Sequence, residues 1–238
     1  ASNLGRDKIA VYTFDPDANK TQDLVFEHPD VDVSSLISSK KRKVITGVVY
    51  TTDKSHYHFF DKDRRELQDT LEKFFPGYEV AVTGMDDDER RATVRVYGDR
   101  TRGGSYLFDR QNNSLTKLAD HSPWLKEAEM APMEPIQYTS RDGLTIHGYL
   151  TLPLGVASRD LPLVVIPHGG PSARDGWGFD SEAQFLANRG AAVLQVNFRG
   201  STGYGKKFWT AGFKQWGRAM QDDVTDGVKW AVDQGIAD

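Results

Sequence analysis

A histidine, two glycines and a proline follow a short apolar run in the second half of the chain. The run is Leu163–Ile166, and the motif after it consists of His168, Gly169, Gly170 and Pro171. An apolar run of this length, bounded by turn residues, is typical of a short buried strand. Acyl transfer requires backbone N–H groups aimed at the oxygen that gains negative charge, and glycines allow the close approach this needs. The motif therefore predicts an oxyanion-binding loop, and the alternative is a glycine-rich turn without chemistry.

The segment Gly200–Lys207 nearly matches two other catalytic motifs. It fits the phosphate-binding pattern G-x-x-x-x-G-K-[ST] except at Lys207, where a hydroxyl should bind Mg²⁺. A nucleophile elbow, G-x-S-x-G, would require glycine in place of Arg199, which makes Ser201 a poor candidate nucleophile. A nucleotide site stays open only as an alternative interpretation.

Other polar groups are weaker candidates. His56 and His58 alternate onto one face of a strand, but no third metal ligand is near them in sequence, so we interpret them as surface or packing residues. The chain contains no cysteine, which excludes disulfides and thiolate metal sites. We expect no cofactor.

Composition narrows the classes of partner. The 238 residues are 38% apolar and 27% charged, which is ordinary for a globular protein. A net charge of −4 does not indicate the positively charged surface with which proteins bind nucleic acid. No apolar stretch approaches the roughly 20 residues of a membrane span, so neither nucleic acid nor membrane is expected as a partner. The composition leaves the cellular compartment open.

The elements that would position the candidate residues differ between the two halves. Residues 1–131 contain short runs rich in Val, Tyr, Phe and Thr, typical of antiparallel strands. Phe-Asp pairs recur there at spacings of 46 and 48 residues, and they are Phe14-Asp15, Phe60-Asp61 and Phe108-Asp109. Each pair is interpreted as part of one pattern: an aromatic strand, the Phe-Asp pair, a polar turn and a strand that carries leucine. The Asp side chain is expected to accept hydrogen bonds from backbone N–H groups of the turn. The spacing predicts C-terminal blades of a β-propeller, with coincidental hairpins in a sandwich as the alternative.

Residues 132–238 follow a different pattern. A predicted hairpin turns at Arg141–Gly143, and two buried apolar runs flank a helical stretch that ends at Gly190. A last helix is predicted from about Arg218 to Gln234, with Gly235 as its C-cap. Near-continuous apolar strands separated by helices predict βαβ units and a mostly parallel sheet with flanking helices. The His-Gly-Gly-Pro motif then follows the third strand of this α/β region.

Three segments together resemble a known family. They are "VVIPHGGP", "FLANRGAAVLQVNFRGSTGYGKKF" and "DDVTDGVKWAVDQG", and they are similar to the prolyl oligopeptidase family of serine peptidases, in its acylaminoacyl-peptidase and dipeptidyl-peptidase-like branch. The similarity covers residues 132–238 closely, while the first half agrees through the β-propeller that the family carries. The resemblance implies a partial β-propeller followed by part of an α/β-hydrolase domain, and short peptides as substrates.

The resemblance also implies roles for individual residues. The backbone N–H of Gly170 would be an oxyanion donor, and His168 would shape this loop without acting as the catalytic base. Asp222 and Asp223 would be structural, since carboxylates suit the start of the last helix. Contacts to the substrate would come from His168, Gly169, Pro171, Arg199, Gly200 and Tyr204.

The chain departs from the family's pattern in its catalytic triad. α/β-Hydrolases order the triad Ser…Asp…His after the helix that here ends near Gly235, so all three residues are expected downstream of Asp238. The chain is accordingly expected to be a fragment with no peptidase activity of its own. Its uncovered apolar strand edges predict aggregation or homo-oligomer formation. A non-catalytic propeller that binds partners, or a nucleotide-binding α/β protein, would be the alternatives.

Overall fold

Antiparallel sheets form the first half of the molecule in the computed structural model, which describes residues 1–238. One sheet has two strands, the next three and the last four, each in sequential order. Their strands are β1 (Val11–Asp15), β2 (Lys20–Phe26), β3 (Val33–Ser39), β4 (Val44–Thr51), β5 (Ser55–Phe59), β6 (Glu79–Met85), β7 (Arg91–Tyr97), β8 (Gly104–Asp109) and β9 (Ser114–Asp120).

Two of the three Phe-Asp pairs form the predicted turns. The Asp15 carboxylate accepts the N–H groups of Asp17 and Ala18, each at 3.0 Å, between β1 and β2. The Asp109 carboxylate accepts the N–H groups of Gln111 at 2.9 Å and Asn112 at 3.2 Å, between β8 and β9. These short hydrogen bonds fix the direction in which each hairpin reverses.

The prediction for the middle pair is wrong, because a helix follows Asp61 instead of a turn and a strand. Helix α1 spans Lys62–Phe74, and Asp61 is its N-cap, accepting the N–H of Arg64 at 3.0 Å. Leu67 and Leu71 are four residues apart and buried on one face, among charged residues that favour helix. These leucines are spaced as the apolar face of a helix requires. This spacing, and not the resemblance of Phe60-Asp61 to the other two pairs, determines the structure that follows Asp61.

The second half contains one mixed sheet of four strands in the order β10-β11-β13-β12. Only β12 and β13 are parallel, and the other two pairs are antiparallel, so the prediction of a mostly parallel sheet is wrong for these strands. The reason is the connections: a short turn links β10 to β11, whereas a helix crosses over between β12 and β13. The elements are β10 (Met133–Thr139), β11 (Thr145–Thr151), β12 (Leu163–Pro167), α2 (Ser181–Ala187), β13 (Ala192–Asn197), α3 (Lys206–Thr210) and α4 (Ala219–Asp233).

Helix α4 covers the sheet over a buried apolar core. Tyr138, Ile146, Leu194 and Val196 from the strands pack in one cluster with Met220 of α4. The helix begins and ends within two residues of its predicted bounds, and Gly235 follows it in a left-handed conformation at φ 68°. Close packing of α4 on the sheet positions the segment that precedes this helix against the end of β12.

The two halves contact each other through hydrogen bonds and a cation–π contact. Tyr149 of β11 donates its hydroxyl to the Asp53 carbonyl oxygen at 2.6 Å, and Lys54 lies 3.6 Å above the Trp177 ring. The division into domains at residues 131 and 132 stays a prediction. None of the helices is both long and apolar enough to cross a membrane.

Candidate functional site

The His-Gly-Gly-Pro loop leaves the carboxyl end of β12, at the edge of the mixed sheet. Gly170 has φ 137°, within the region that side chains with a Cβ rarely adopt. A Cβ at this position would lie 2.8 Å from the Ser172 nitrogen and 3.2 Å from the Ala173 nitrogen. The backbone of the loop therefore requires glycine at position 170.

The loop exposes backbone donors that have no acceptor in the chain. Gly169 and Gly170 are both solvent-exposed, and neither N–H donates a hydrogen bond within the protein. Unpaired N–H groups on an exposed loop can donate to an external oxygen, and glycine places no side chain in the way. Both N–H groups are therefore available to an acceptor from outside the chain.

A cavity of about 340 Å³ adjoins the loop. His168, Gly170 and Pro171 line one side, and the residues before and within α4 line the other. Trp216 is prominent there because 72% of its surface is exposed. The sequence analysis did not predict Trp216 and Met220 as cavity residues. A tryptophan next to Gly217, just before a helix, could have indicated an exposed aromatic side chain at this position.

His168 is held in place from several directions. Its ring stacks on Phe198 with centroids 4.5 Å apart, Nε2 lies 2.7 Å from Ser201 Oγ, and Nδ1 lies 2.9 Å from the Gly169 carbonyl oxygen. Ser201 donates its own hydroxyl to the Phe198 carbonyl oxygen at 2.6 Å and is completely buried. A serine–histidine pair thus exists, but no substrate can reach its hydroxyl.

Arg199 lies away from the cavity, contrary to the expectation that it contacts the substrate. Its guanidinium donates to Asp223 from Nε at 2.8 Å and Nη2 at 2.7 Å, and to Asp142 from Nη1 at 2.7 Å. These hydrogen bonds, with Asp223 first, hold the pKa of Arg199 above its ordinary value. Arg199 is only 7% exposed, so its donors join β13 to α4 and to the β10–β11 turn.

Gly200 and Tyr204 also occupy structural positions. Gly200 has φ 98°, and a Cβ there would lie 2.8 Å from Met220 Cε. The Tyr204 hydroxyl lies 2.9 Å from both Arg174 Nη2 and Asn197 Nδ2, and burial raises the pKa of Tyr204 to about 12. Neither residue lines the cavity beside Gly170: Gly200 packs against Met220, and Tyr204 packs against Arg174.

The acidic residues of α4 make structural contacts. Asp223 is fully buried, and it accepts hydrogen bonds from Arg199 and from the Ser140 hydroxyl. Asp222 pairs with Arg141 at 2.8 Å on the exposed side of the helix. Both contacts tie α4 to the neighbouring strands.

The remaining candidates show no ligand site. The His58 ring stacks on Phe26 at 4.7 Å, and no group of three or more His, Asp or Glu side chains could hold a metal ion. In the phosphate-loop-like segment, Asp7 occupies the N–H groups of Lys206 at 2.9 Å and Lys207 at 2.6 Å. Asp7 thus takes both donors that a phosphate would need, through its backbone carbonyl oxygen at Lys206 and its carboxylate at Lys207, which disfavours the nucleotide alternative.

Comparisons with known proteins relate the chain to a family of peptidases. A family model described as the prolyl oligopeptidase family matches residues 177–238. The chain is 36% identical to dipeptidyl aminopeptidase BIII of Pseudoxanthomonas mexicana, over 98% of the chain and 34% of that protein. It is 31% identical to dipeptidyl peptidase family member 6 of Caenorhabditis elegans, over 90% of the chain and 33% of that protein.

A solved structure shares the fold. The crystal structure of puromycin hydrolase matches with a TM-score of 0.71 and 20% identity, over 96% of the chain and 36% of that protein. The chain spans about a third of the length of the curated relatives it matches.

Proposed function

The chain belongs to the prolyl oligopeptidase family, and from this premise we propose that it forms the oxyanion-binding part of a serine peptidase acting on short peptides. The observation that carries the proposal is the pair of unpaired N–H groups of Gly169 and Gly170, exposed at the carboxyl end of β12. Relatives with peptidase names over nearly the whole chain support the reaction class.

In the proposed reaction a serine hydroxyl attacks the peptide carbonyl carbon, its proton passes to the triad histidine, and the carbonyl oxygen becomes an oxyanion. When this intermediate collapses, the C–N bond breaks and the histidine gives the proton to the leaving amine, and water then hydrolyses the acyl-enzyme by the same steps. The Gly170 N–H donates to this oxygen. Each such donor contributes about 10²- to 10³-fold to kcat in well-studied cases. His168 does not exchange protons with the substrate in this scheme. Its contacts with Phe198 and Ser201 keep the loop in the shape that exposes the donor.

We propose that the serine, aspartate and histidine of the triad lie outside this chain. The open edge of β12 supports this arrangement. Leu161, just before β12, forms a parallel bridge with Ala237, next to the hydrogen bond from the Leu161 N–H to the Ile236 carbonyl oxygen at 2.8 Å. A strand that continued this pairing would run parallel to β12 and end beside His168 and Gly169. A nucleophile elbow after such a strand would face the Gly170 N–H.

The sheets of residues 1–131 are proposed to be propeller blades, and residues 132–238 the first part of an α/β-hydrolase domain. The three consecutive antiparallel sheets and the β10-β11-β13-β12 order support this division. In this arrangement the blades restrict access to the Gly170 loop, so that short peptides are the substrates.

The test is hydrolysis of a dipeptide p-nitroanilide by the purified 238-residue chain, alone and after co-expression with the product of the downstream part of its gene. The proposal predicts no hydrolysis by the folded chain alone and measurable hydrolysis by the combination. Turnover by the chain alone, with circular dichroism showing a folded protein, would overturn the proposal that the triad is supplied from outside. A combination that binds peptides without cleaving them would instead support a binding module.

A further inference from the structure

A second cavity, of about 420 Å³, lies between the N-terminal residues and the Gly200–Gly205 loop. Arg174, Lys206 and Trp209 line it together with Asp32. It shares no lining residue with the cavity beside Gly170. Arg174, however, belongs to the loop that carries Gly170, four residues further along the chain.

Arg174 brings a positive charge to this cavity without a counter-ion. Its guanidinium donates to the Thr52 carbonyl oxygen at 3.0 Å and to the Tyr204 hydroxyl at 2.9 Å, and it lies 4.4 Å above the Tyr204 ring. Nη1 makes one contact, of 3.4 Å, to the Thr51 carbonyl oxygen, which leaves N–H capacity unused. No carboxylate of the chain lies within 4.0 Å of Arg174, and Lys206 is exposed and equally unpaired.

The acids around the cavity already have partners. Asp32 accepts the N–H of Ile9 at 2.7 Å and that of Gly205 at 3.1 Å, one on each oxygen. Asp7 pairs with Lys8 at 3.1 Å and accepts the Lys207 N–H. Asp32 keeps its negative charge, because both of its partners are neutral N–H groups, so Arg174 and Lys206 together leave the cavity lining with one net positive charge. Positive charge also acts on His147 nearby: burial is the largest cause that lowers the pKa of His147, and repulsion from Arg174 and Lys8 lowers it further.

We propose that this cavity is a subsite for a carboxylate of the bound peptide, held by Arg174 and Lys206; the inference rests on the proposed peptidase function. Charge-assisted hydrogen bonds from a guanidinium suit a carboxylate. An extended chain advances about 3.3–3.6 Å per residue, so the four residues from Gly170 to Arg174 span at most about 14 Å. A carboxylate within about four residues of the cleaved bond could therefore reach the subsite. Acidic side chains and the peptide's terminal α-carboxylate share this chemistry.

Isothermal titration calorimetry with the 238-residue chain separates the two sources. Three probes differ only in charge: Ac-Ala-Gln-Ala-NH₂ with no carboxylate, Ac-Ala-Glu-Ala-NH₂ with one on the side chain, and Ac-Ala-Gln-Ala-OH with one at the terminus. We expect at least one carboxylate probe to bind about tenfold more tightly than the neutral probe, as hydrogen bonds to charged groups allow. The probe that gains affinity identifies the source of the carboxylate. Equal affinity of all three probes, or no binding at all, overturns the proposal.

Charge variants locate the effect. Lys206→Gln should reduce the preference for the carboxylate probe several-fold, whereas Lys229→Gln, an exposed and unpaired lysine on α4, should leave it unchanged. Arg174→Gln should abolish the preference, and Arg174→Lys should restore part of it. Arg174 contacts two carbonyl oxygens of the first half, so the exposed Lys206 keeps the test valid if the Arg174 variants unfold. A preference that survives both Lys206→Gln and Arg174→Gln contradicts the site.

Failure of this inference is distinguishable from failure of the proposed function. Binding to the chain requires no hydrolysis, so equal affinities alongside active co-expressed enzyme remove the subsite alone. A carboxylate preference alongside an inactive combination removes the peptidase function and keeps an anion site.

Discussion

At the scale of single residues, Ser201 and His168 show why a short serine–histidine distance does not define a nucleophile. The 2.7 Å contact would suit proton transfer, but Ser201 is completely buried and its hydroxyl already donates to a carbonyl oxygen. A nucleophile must meet the carbonyl carbon of a substrate, so exposure decides the question. The pair is a structural contact between the Gly170 loop and the segment that follows β13.

We predict that Ser201→Ala lowers the free energy of unfolding by about 1 kcal/mol, because one buried hydroxyl loses its hydrogen bonds. Peptidase activity of the combined protein should fall by less than tenfold. Loss of a true serine nucleophile lowers kcat about 10⁶-fold. Urea unfolding and p-nitroanilide kinetics on the same preparation check both numbers. A folded variant without activity would show that Ser201 takes part in the chemistry.

At the scale of elements, α1 shows what local sequence patterns predict and what they do not. The turn chemistry of Asp15 and Asp109 depends on neighbouring residues only, and it was predictable. Asp61 uses the same carboxylate to cap a helix, because the following residues place Leu67 and Leu71 on one face. The Phe-Asp pairs look alike, but in the ten residues after Asp61 the apolar side chains are spaced as in a helix and not as in a strand.

We predict that Leu71→Ala lowers the free energy of unfolding by about 2–5 kcal/mol, since this fully buried side chain packs α1 on the β6–β9 sheet. Glu66→Ala, on the exposed face of the same helix, should change it by less than about 0.5 kcal/mol. Urea denaturation followed by circular dichroism measures both. Similar small effects would mean that α1 does not pack on the sheet as described.

At the scale of the whole molecule, the order of strands was beyond local reasoning. The crossover from β12 through α2 to β13 was predictable from two apolar runs and a helix between them. The antiparallel pairing of β11 with β13 was not, because it joins strands that are distant in sequence. The same limit explains Arg199: its neighbours in sequence form a glycine-rich loop, but its partners Asp142 and Asp223 come from other elements.

A further long-range ion pair, between Arg141 Nη2 and Asp226 Oδ1 at 2.8 Å, predicts a specific loss of stability in acid. Hydrogen bonds from Arg141 lower the pKa of Asp226 from 3.8 to about 2 in the folded protein. A carboxylate whose folded pKa is depressed stabilises the fold fully above its unfolded pKa, and the contribution disappears as the pH falls through the folded pKa. Wild type should therefore be more stable than Asp226→Asn at pH 6, with the difference shrinking between about pH 4 and pH 2. Urea unfolding at pH 6, 4, 3 and 2 tests this, and a difference independent of pH would contradict the role of Arg141.

The kcat of the co-expressed peptidase carrying Gly170→Ala tests most directly whether the Gly170 N–H binds the oxyanion. A Cβ at position 170 would meet the Ser172 nitrogen at 2.8 Å and displace the loop that presents the N–H. Gly176→Ala is the matched control, because a Cβ there has no atom within 4 Å. We predict that Gly170→Ala lowers kcat by about 10²–10³-fold with little change in KM, while Gly176→Ala stays within about threefold of wild type. An unchanged kcat in a folded Gly170→Ala protein, or equal losses in the two variants, would contradict the assignment of Gly170 as the oxyanion donor.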